Sequence, residues 1–152
     1  MEQAVQGEGW SMRGGWTSLA VRPIRFAEWL FGPLAPGLDL GLMLLPAGWA
    51  ILEVTRPQLF DSGAFVGLSW VSDPVWFSLH CLLTALHGIG LVRPYWRVLR
   101  IGAAFLSAWH WLFVALSLVR VEMTTGVIAY AIIGAWALVG GVYLAGLPRK
   151  AG

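Results

Sequence analysis

Four apolar stretches, at about residues 38–54, 74–92, 98–119 and 125–147, take up more than half of this chain and decide what it can fold into. A helical crossing of a bilayer core needs about 20 mostly apolar residues, with a range of roughly 17 to 25, and all four stretches fall in or near that window. The composition agrees: 58% hydrophobic and 12% charged over 152 residues is too apolar for an ordinary soluble domain of this length. The expectation is an all-α polytopic membrane protein. It is a four-transmembrane-helix bundle with a short N-terminal amphipathic interfacial helix, forming one membrane domain over residues 22–152 after a flexible cytoplasmic tail at 1–21.

A net charge of +2 and a pI near 9.1 would admit a nucleic-acid partner, but the positions of the charges argue against one. Arg13, Arg22 and Arg25 precede the first crossing, Arg93, Arg97 and Arg100 cluster between the second and third, and Arg149 and Lys150 follow the fourth. Eight of the ten basic residues therefore share one side, and the positive-inside rule makes that side cytoplasmic. Arg22, Arg25, Arg93, Arg97, Arg100, Arg149 and Lys150 are assigned to the cytoplasmic interface, with both termini cytoplasmic. The partner is then the lipid bilayer. The first 20 residues hold Glu2, Glu8 and Arg13 and do not read as a cleavable signal, so the first crossing is expected to direct its own insertion.

Residues 22–31 intersperse Ile24, Phe26, Ala27, Leu30 and Phe31 with Arg22, Arg25 and Glu28, as in a short helix lying on a membrane surface. Pro33, Pro36 and Gly37 then let the chain turn into the bilayer. Pro46 should kink the first crossing or line a close helix contact. Asp39 and Glu53, about 21 Å apart along that helix, are read as boundary carboxylates reaching the two headgroup regions. The loop at 55–73 is apolar enough to rest on the outer face, with a short helix from Gly63 to Trp70. Asp73-Pro74 reads as an N-cap followed by a first-turn proline. Cys81, the only cysteine, reads as a buried packing residue.

Helix association in lipid depends on close backbone approach, so small residues mark interfaces. Gly134, Ala137, Gly141 and Ala145 form such a helix-packing stripe on the fourth crossing, and Gly102, Ala103, Ala104, Ser107 and Ala108 form one on the third. They are read chiefly as contacts within one chain, with self-association as the alternative.

His80, His87 and His110 lie deep in the apolar stretches, where polar groups are functional candidates because burying them is costly. His80 and His110 differ in depth by only about 5 Å, which permits bis-histidine ligation of a haem b. The simpler reading, given more weight, is neutral histidines bonded to Thr84, Ser78, Ser107 or a backbone carbonyl, with no cofactor. Most tryptophans, including Trp49 and Trp76, are assigned to interfaces. Trp109, His110 and Trp111 are consecutive and point in different directions on a helix. No Ser-His-Asp set, phosphate loop or zinc spacing is assembled from the remaining residues.

The order and spacing of Phe26 to Glu28, Gly48-Trp49, Pro57 with Phe60, Trp76, Gly88, Leu99-Arg100, Trp111, Thr125-Gly126 and Tyr130 resemble a family of small four-crossing membrane proteins of tailed bacteriophages and prophages. The resemblance runs from about Arg25 to Gly146. His87-Gly88 and Arg93-Pro94 stand where family members often carry an arginine and an Asn-Gly turn. The resemblance implies a phage or prophage product in the host membrane, and no reaction. The function expected is therefore non-enzymatic, acting through contacts with other membrane proteins or lipid. The alternatives are a holin-like permeabilising oligomer and a haem-binding electron-transfer subunit using His80 and His110.

Overall fold

A computed structural model of the protein describes residues 35–147, apart from Pro57 and Ser62. The expected tail and interfacial helix, with Arg22, Arg25, Arg149 and Lys150, lie outside the described residues. Four long helices run through the rest: α1 (Pro36–Thr55), α2 (Asp73–Val92), α3 (Arg97–Val119) and α4 (Thr125–Gly146). Each is long and apolar enough to cross a membrane, and the described residues contain no strand. The protein is an all-helical, multi-pass integral membrane protein.

Local chemistry explains the helix ends. Pro36 opens α1, where its missing N–H costs nothing, and Pro74 does the same in the first turn of α2. Ser72 takes the cap position of α2 and Asp73 is already helical, one residue beyond the expected boundary. Pro46 is buried inside an unbroken α1, so it lines a close helix contact. A 3₁₀ turn at Gly63–Leu68 replaces the expected short helix to Trp70 and rests on α3.

The helices form two hairpin-like pairs, α1 against α2 and α3 against α4. Small residues permit the second pairing: an added Cβ at Gly134 would lie 2.7 Å from Leu112 Cγ and 3.0 Å from the Leu112 backbone nitrogen. Gly141 faces Ala104 and Phe105, Gly140 faces Leu38, and Ala137 is fully buried. The small-residue stripes of α3 and α4 thus face each other within one chain. Ala145 does not belong to the stripe, because it is exposed and Leu144 is buried in its stead. Gly102 is exposed as well.

Two apolar clusters fill the bundle. Trp49, Phe60, Leu68, Trp76, Trp111 and Val114 belong to one, at the loop end of α1, and Leu38, Leu42, Ala108, Ala137 and Leu144 to the other. Trp49 and Trp76 are therefore core residues and not interfacial ones, and the 59–71 loop contributes Phe60 and Leu68 to the core. Cys81 is exposed on the outer surface of α2, contrary to its expected burial. Ile128, Ile132, Trp136, Val139 and Tyr143 stay exposed along α4, a face suited to lipid and not to water.

Gly134→Ala is expected to destabilise the protein by about 1–3 kcal/mol, the usual range for forcing extra carbon into a packed contact. Gly48→Ala, whose added Cβ meets nothing within 4 Å, is the control and should be neutral or slightly stabilising. Thermal unfolding of both variants in detergent checks the contrast.

Candidate functional site: two buried carboxylate–histidine chains

The bundle encloses five ionisable side chains besides His110, all drawn from α1, α2 and α3. They fall into two chains of hydrogen bonds with the same order: a carboxylate from α1, a histidine from α2, and a polar partner from α3.

At the arginine-turn end, Asp39 is 0% exposed and holds two partners. Its Oδ1 lies 3.0 Å from His87 Nδ1, and its Oδ2 accepts from Arg100 Nε at 2.6 Å. A carboxylate beside a guanidinium is an acceptor, so Nδ1 of His87 holds the proton. His87 Nε2 then accepts from the Ser107 hydroxyl, 2.8 Å away. Arg100 also donates from Nη1 to the Pro94 carbonyl and from Nη2 to the Ala35 carbonyl. Ala35 sits in the left-handed region (φ 42°, ψ 52°), a conformation that disfavours a residue with a Cβ. Close approach matters here too. A Cβ on Gly90 would come within 3.0 Å of Arg100 Cγ and 3.1 Å of Asp39 Oδ1, so glycine leaves the room the ion pair occupies.

Asp39, His87 and Ser107 have the connectivity of a hydrolase triad, which no sequence spacing suggested. The surroundings do not match that chemistry. Ser107 is fully buried in the interior of α3, where neighbouring N–H groups are committed to helix bonds and cannot hold an oxyanion. The geometry is that of a satisfied polar chain.

At the opposite end, Glu53 Oε1 lies 2.9 Å from His80 Nδ1, and His80 Nε2 lies 3.1 Å from His110 Nε2. If Nδ1 of neutral His80 donates to Glu53, Nε2 must accept from His110 Nε2–H, which leaves His110 Nδ1 bare. That atom is buried without a partner, as are Glu53 Oε2 and Trp111 Nε1. Aromatic rings wall the chain. Trp49, Trp76 and Trp111 stack near-parallel to the His80 ring at centroid distances of 5.5, 6.1 and 6.1 Å. Trp76 is fixed in turn by its indole N–H to the Leu68 carbonyl at 3.1 Å, so the loop orients the cage.

Several expectations change. Asp39 and Glu53 stand at the two ends of α1 but turn inward to histidines, not outward to headgroups. Arg100 is 2% exposed and paired with Asp39, not an interfacial charge. His110 and Trp111 both face inward and only Trp109 faces out. Of the expected histidine partners, Ser107 is correct for His87, whereas Thr84 bonds the His80 carbonyl and Ser78 bonds the Pro74 carbonyl. The residues of the haem alternative do not fit the group. A metal–imidazole bond is about 2.0–2.1 Å, so one iron between two trans nitrogens holds them about 4 Å apart. His80 and His110 instead touch directly with rings 83° apart and leave no slot for a macrocycle. Among the described residues, no three His, Cys, Asp or Glu side chains converge as a metal site.

No protein-family model, no curated protein and no solved structure matches the chain.

Arg100→Met should destabilise the fold by about 3–5 kcal/mol, because it leaves the Asp39 carboxylate buried without the guanidinium that balances its charge. Combining it with Asp39→Asn should restore part of that loss. Detergent unfolding of both single variants and the double variant measures the coupling.

Proposed function

We propose that this chain is a small bacterial inner-membrane protein, non-enzymatic, whose bundle relays protons across the membrane. The observation that carries the reading is the ordered chain Glu53–His80–His110, which ends on a buried, bare imidazole nitrogen. Imidazole relays protons because it takes one on one nitrogen and releases another from the second. A proton arriving at His110 Nδ1 lets His110 give its Nε2 proton to His80 Nε2. His80 then gives its Nδ1 proton to Glu53, and Glu53 releases it at the far end of α1. The second chain has the same polarity, from Ser107 through His87 to Asp39.

Ser107 and His110 share one face of α3 and are separated by about 4.5 Å of helix rise, a gap that one water could bridge. With that link the polar path runs from Asp39 to Glu53, about 21 Å along α1 and most of a hydrocarbon core, and because both chains donate from α3 toward α1, the Asp39–His87–Ser107 bonds reverse direction when a proton passes end to end. Chains of acidic residues and histidines inside a bundle are typical of proton pathways, since isolated polar groups at such depth are costly. The distribution of basic residues supports a cytoplasmic arginine turn and cytoplasmic termini. The order and spacing of the sequence features support a phage or prophage context. The holin-like alternative loses its basis in the α3 and α4 stripes, which are consumed within the chain.

Purified protein in liposomes loaded with a pH-sensitive dye tests the reading under an imposed potassium diffusion potential. Wild-type vesicles should acidify or alkalinise with the potential faster than protein-free vesicles, and His80→Ala or His110→Ala should return them to the protein-free rate while eluting as folded protein. A wild-type rate equal to that of empty vesicles rejects the relay.

A further inference from the structure

The polar chains leave one prominent feature unused: a groove of about 1040 Å³ at the arginine end of the bundle. Leu86 of α2, Tyr95 and Trp96 of the turn, Gly102 and Leu106 of α3, and Leu147 after α4 are among the residues that line it. Its body is apolar and lies among membrane-crossing helices. Its polar end belongs to arginines, and no acidic residue is among its described lining residues. Arg97 lines it and directs Nε and Nη2 to the carbonyls of Leu144 and Ala145, the open C-terminal end of α4. The third guanidinium nitrogen, Nη1, is buried and has no partner. Arg93 is exposed in the same turn.

We propose that this groove binds one anionic phospholipid, with its phosphate at the arginine turn beside Arg97 and the exposed Arg93 and an acyl chain lying along Leu86, Leu106 and Leu147. Three features select a lipid as the occupant. The groove belongs to the transmembrane part of the bundle, Arg97 and Arg100 are the charged residues in an otherwise apolar and aromatic lining, and the exposed Trp96 and Tyr95 are of the type that sits at headgroup level. Basic pockets between membrane helices recognise anionic headgroups in this way. The site is independent of proton relay, although Arg100 lines the groove while holding Asp39. A bound anionic headgroup would therefore lie beside the cation that neutralises the inner carboxylate.

The test is thermal unfolding and native mass spectrometry of the full-length protein in mixed micelles with dioleoyl phosphatidylglycerol, dioleoyl phosphatidylcholine or inorganic phosphate. Phosphatidylglycerol should raise Tm and remain as a single adduct, and the other two should do neither. Arg97 also caps α4, so Arg97→Ala could fail by unfolding. Gly102→Trp avoids that problem, because a Cβ at Gly102 meets nothing within 4 Å and the ring would enter the groove while leaving Arg97 and its carbonyl partners in place. This variant should fold and lose both the Tm shift and the adduct. Equal shifts from phosphatidylcholine would make the groove ordinary lipid contact, an equal shift from inorganic phosphate would make it an ion site, and a full response in Gly102→Trp would place the lipid elsewhere. Any of the three overturns the proposal.

Discussion

The contact between Arg100 Nε and Asp39 Oδ2 joins the two halves of the molecule. The fold is two helical pairs, α1 with α2 and α3 with α4, and little apolar driving force acts between them in a bilayer, since lipid tails are as apolar as leucine. Side-chain hydrogen bonds across helices in lipid are worth about 0.6 to 2 kcal/mol each, so a few of them can set the register of the apolar surfaces that the two pairs bring together. Those bonds are Asp39–Arg100, His87–Ser107 and His80–His110, and all three cross from the first pair to α3. Arg100 is the most demanding member. A guanidinium at this depth requires a carboxylate, and Asp39 on α1 supplies it only because Gly90 on α2 leaves the space clear.

The two ends of the bundle use the same carboxylate–histidine unit under different electrostatics. Asp39 has a permanent cation on one oxygen and an imidazole on the other, so its charge is balanced whichever way His87 is protonated. Glu53 has only His80, whose charge depends on its proton. The aromatic cage of Trp49, Trp76 and Trp111 keeps that end low in dielectric and excludes competing side chains, which strengthens each polar contact inside it. The carboxylate charge is therefore balanced by a permanent cation at one end and by a histidine alone at the other.

Much of this was visible in the chain before its fold. The crossings expected at 38–54, 74–92, 98–119 and 125–147 agree with the helices to within two residues at each end, because hydrophobic length in a bilayer is a one-dimensional property. Depth was also legible: Asp39 and Glu53 do lie at opposite ends of α1. Direction around the helix was not, and it decides whether a carboxylate meets a headgroup or a histidine. A signal was available. Asp39 and Glu53 are 14 residues apart, His80 and His87 seven, and Ser107 and His110 three, spacings that put each pair on one helix face. Three helices with polar pairs on single faces point to one shared interior. Arg100 was hidden by the charge count behind the expected orientation, which treats every basic residue near a helix end as interfacial. Trp49 and Trp76 were hidden by the same habit applied to indoles, and no local pattern shows that Phe60 and Leu68 fold back to cover them.

Structural adhesion explains the arginine end fully, because hydrogen-bond partners hold both Asp39 oxygens, both ring nitrogens of His87 and the Ser107 hydroxyl. The same explanation fails at the other end. A network kept only for cohesion gains nothing from bare polar atoms, each of which costs about 1–3 kcal/mol when buried, and a phenylalanine at 110 would pack without that loss. Yet Glu53 Oε2, His110 Nδ1 and Trp111 Nε1 are all buried and unpartnered around one aromatic-walled chain. Two of these are acceptors able to take a proton and one is a donor, the inventory that a passing water or proton would meet. The asymmetry between a satisfied chain and an unsatisfied one, built from the same unit on the same three helices, is the observation on which the proposed relay rests.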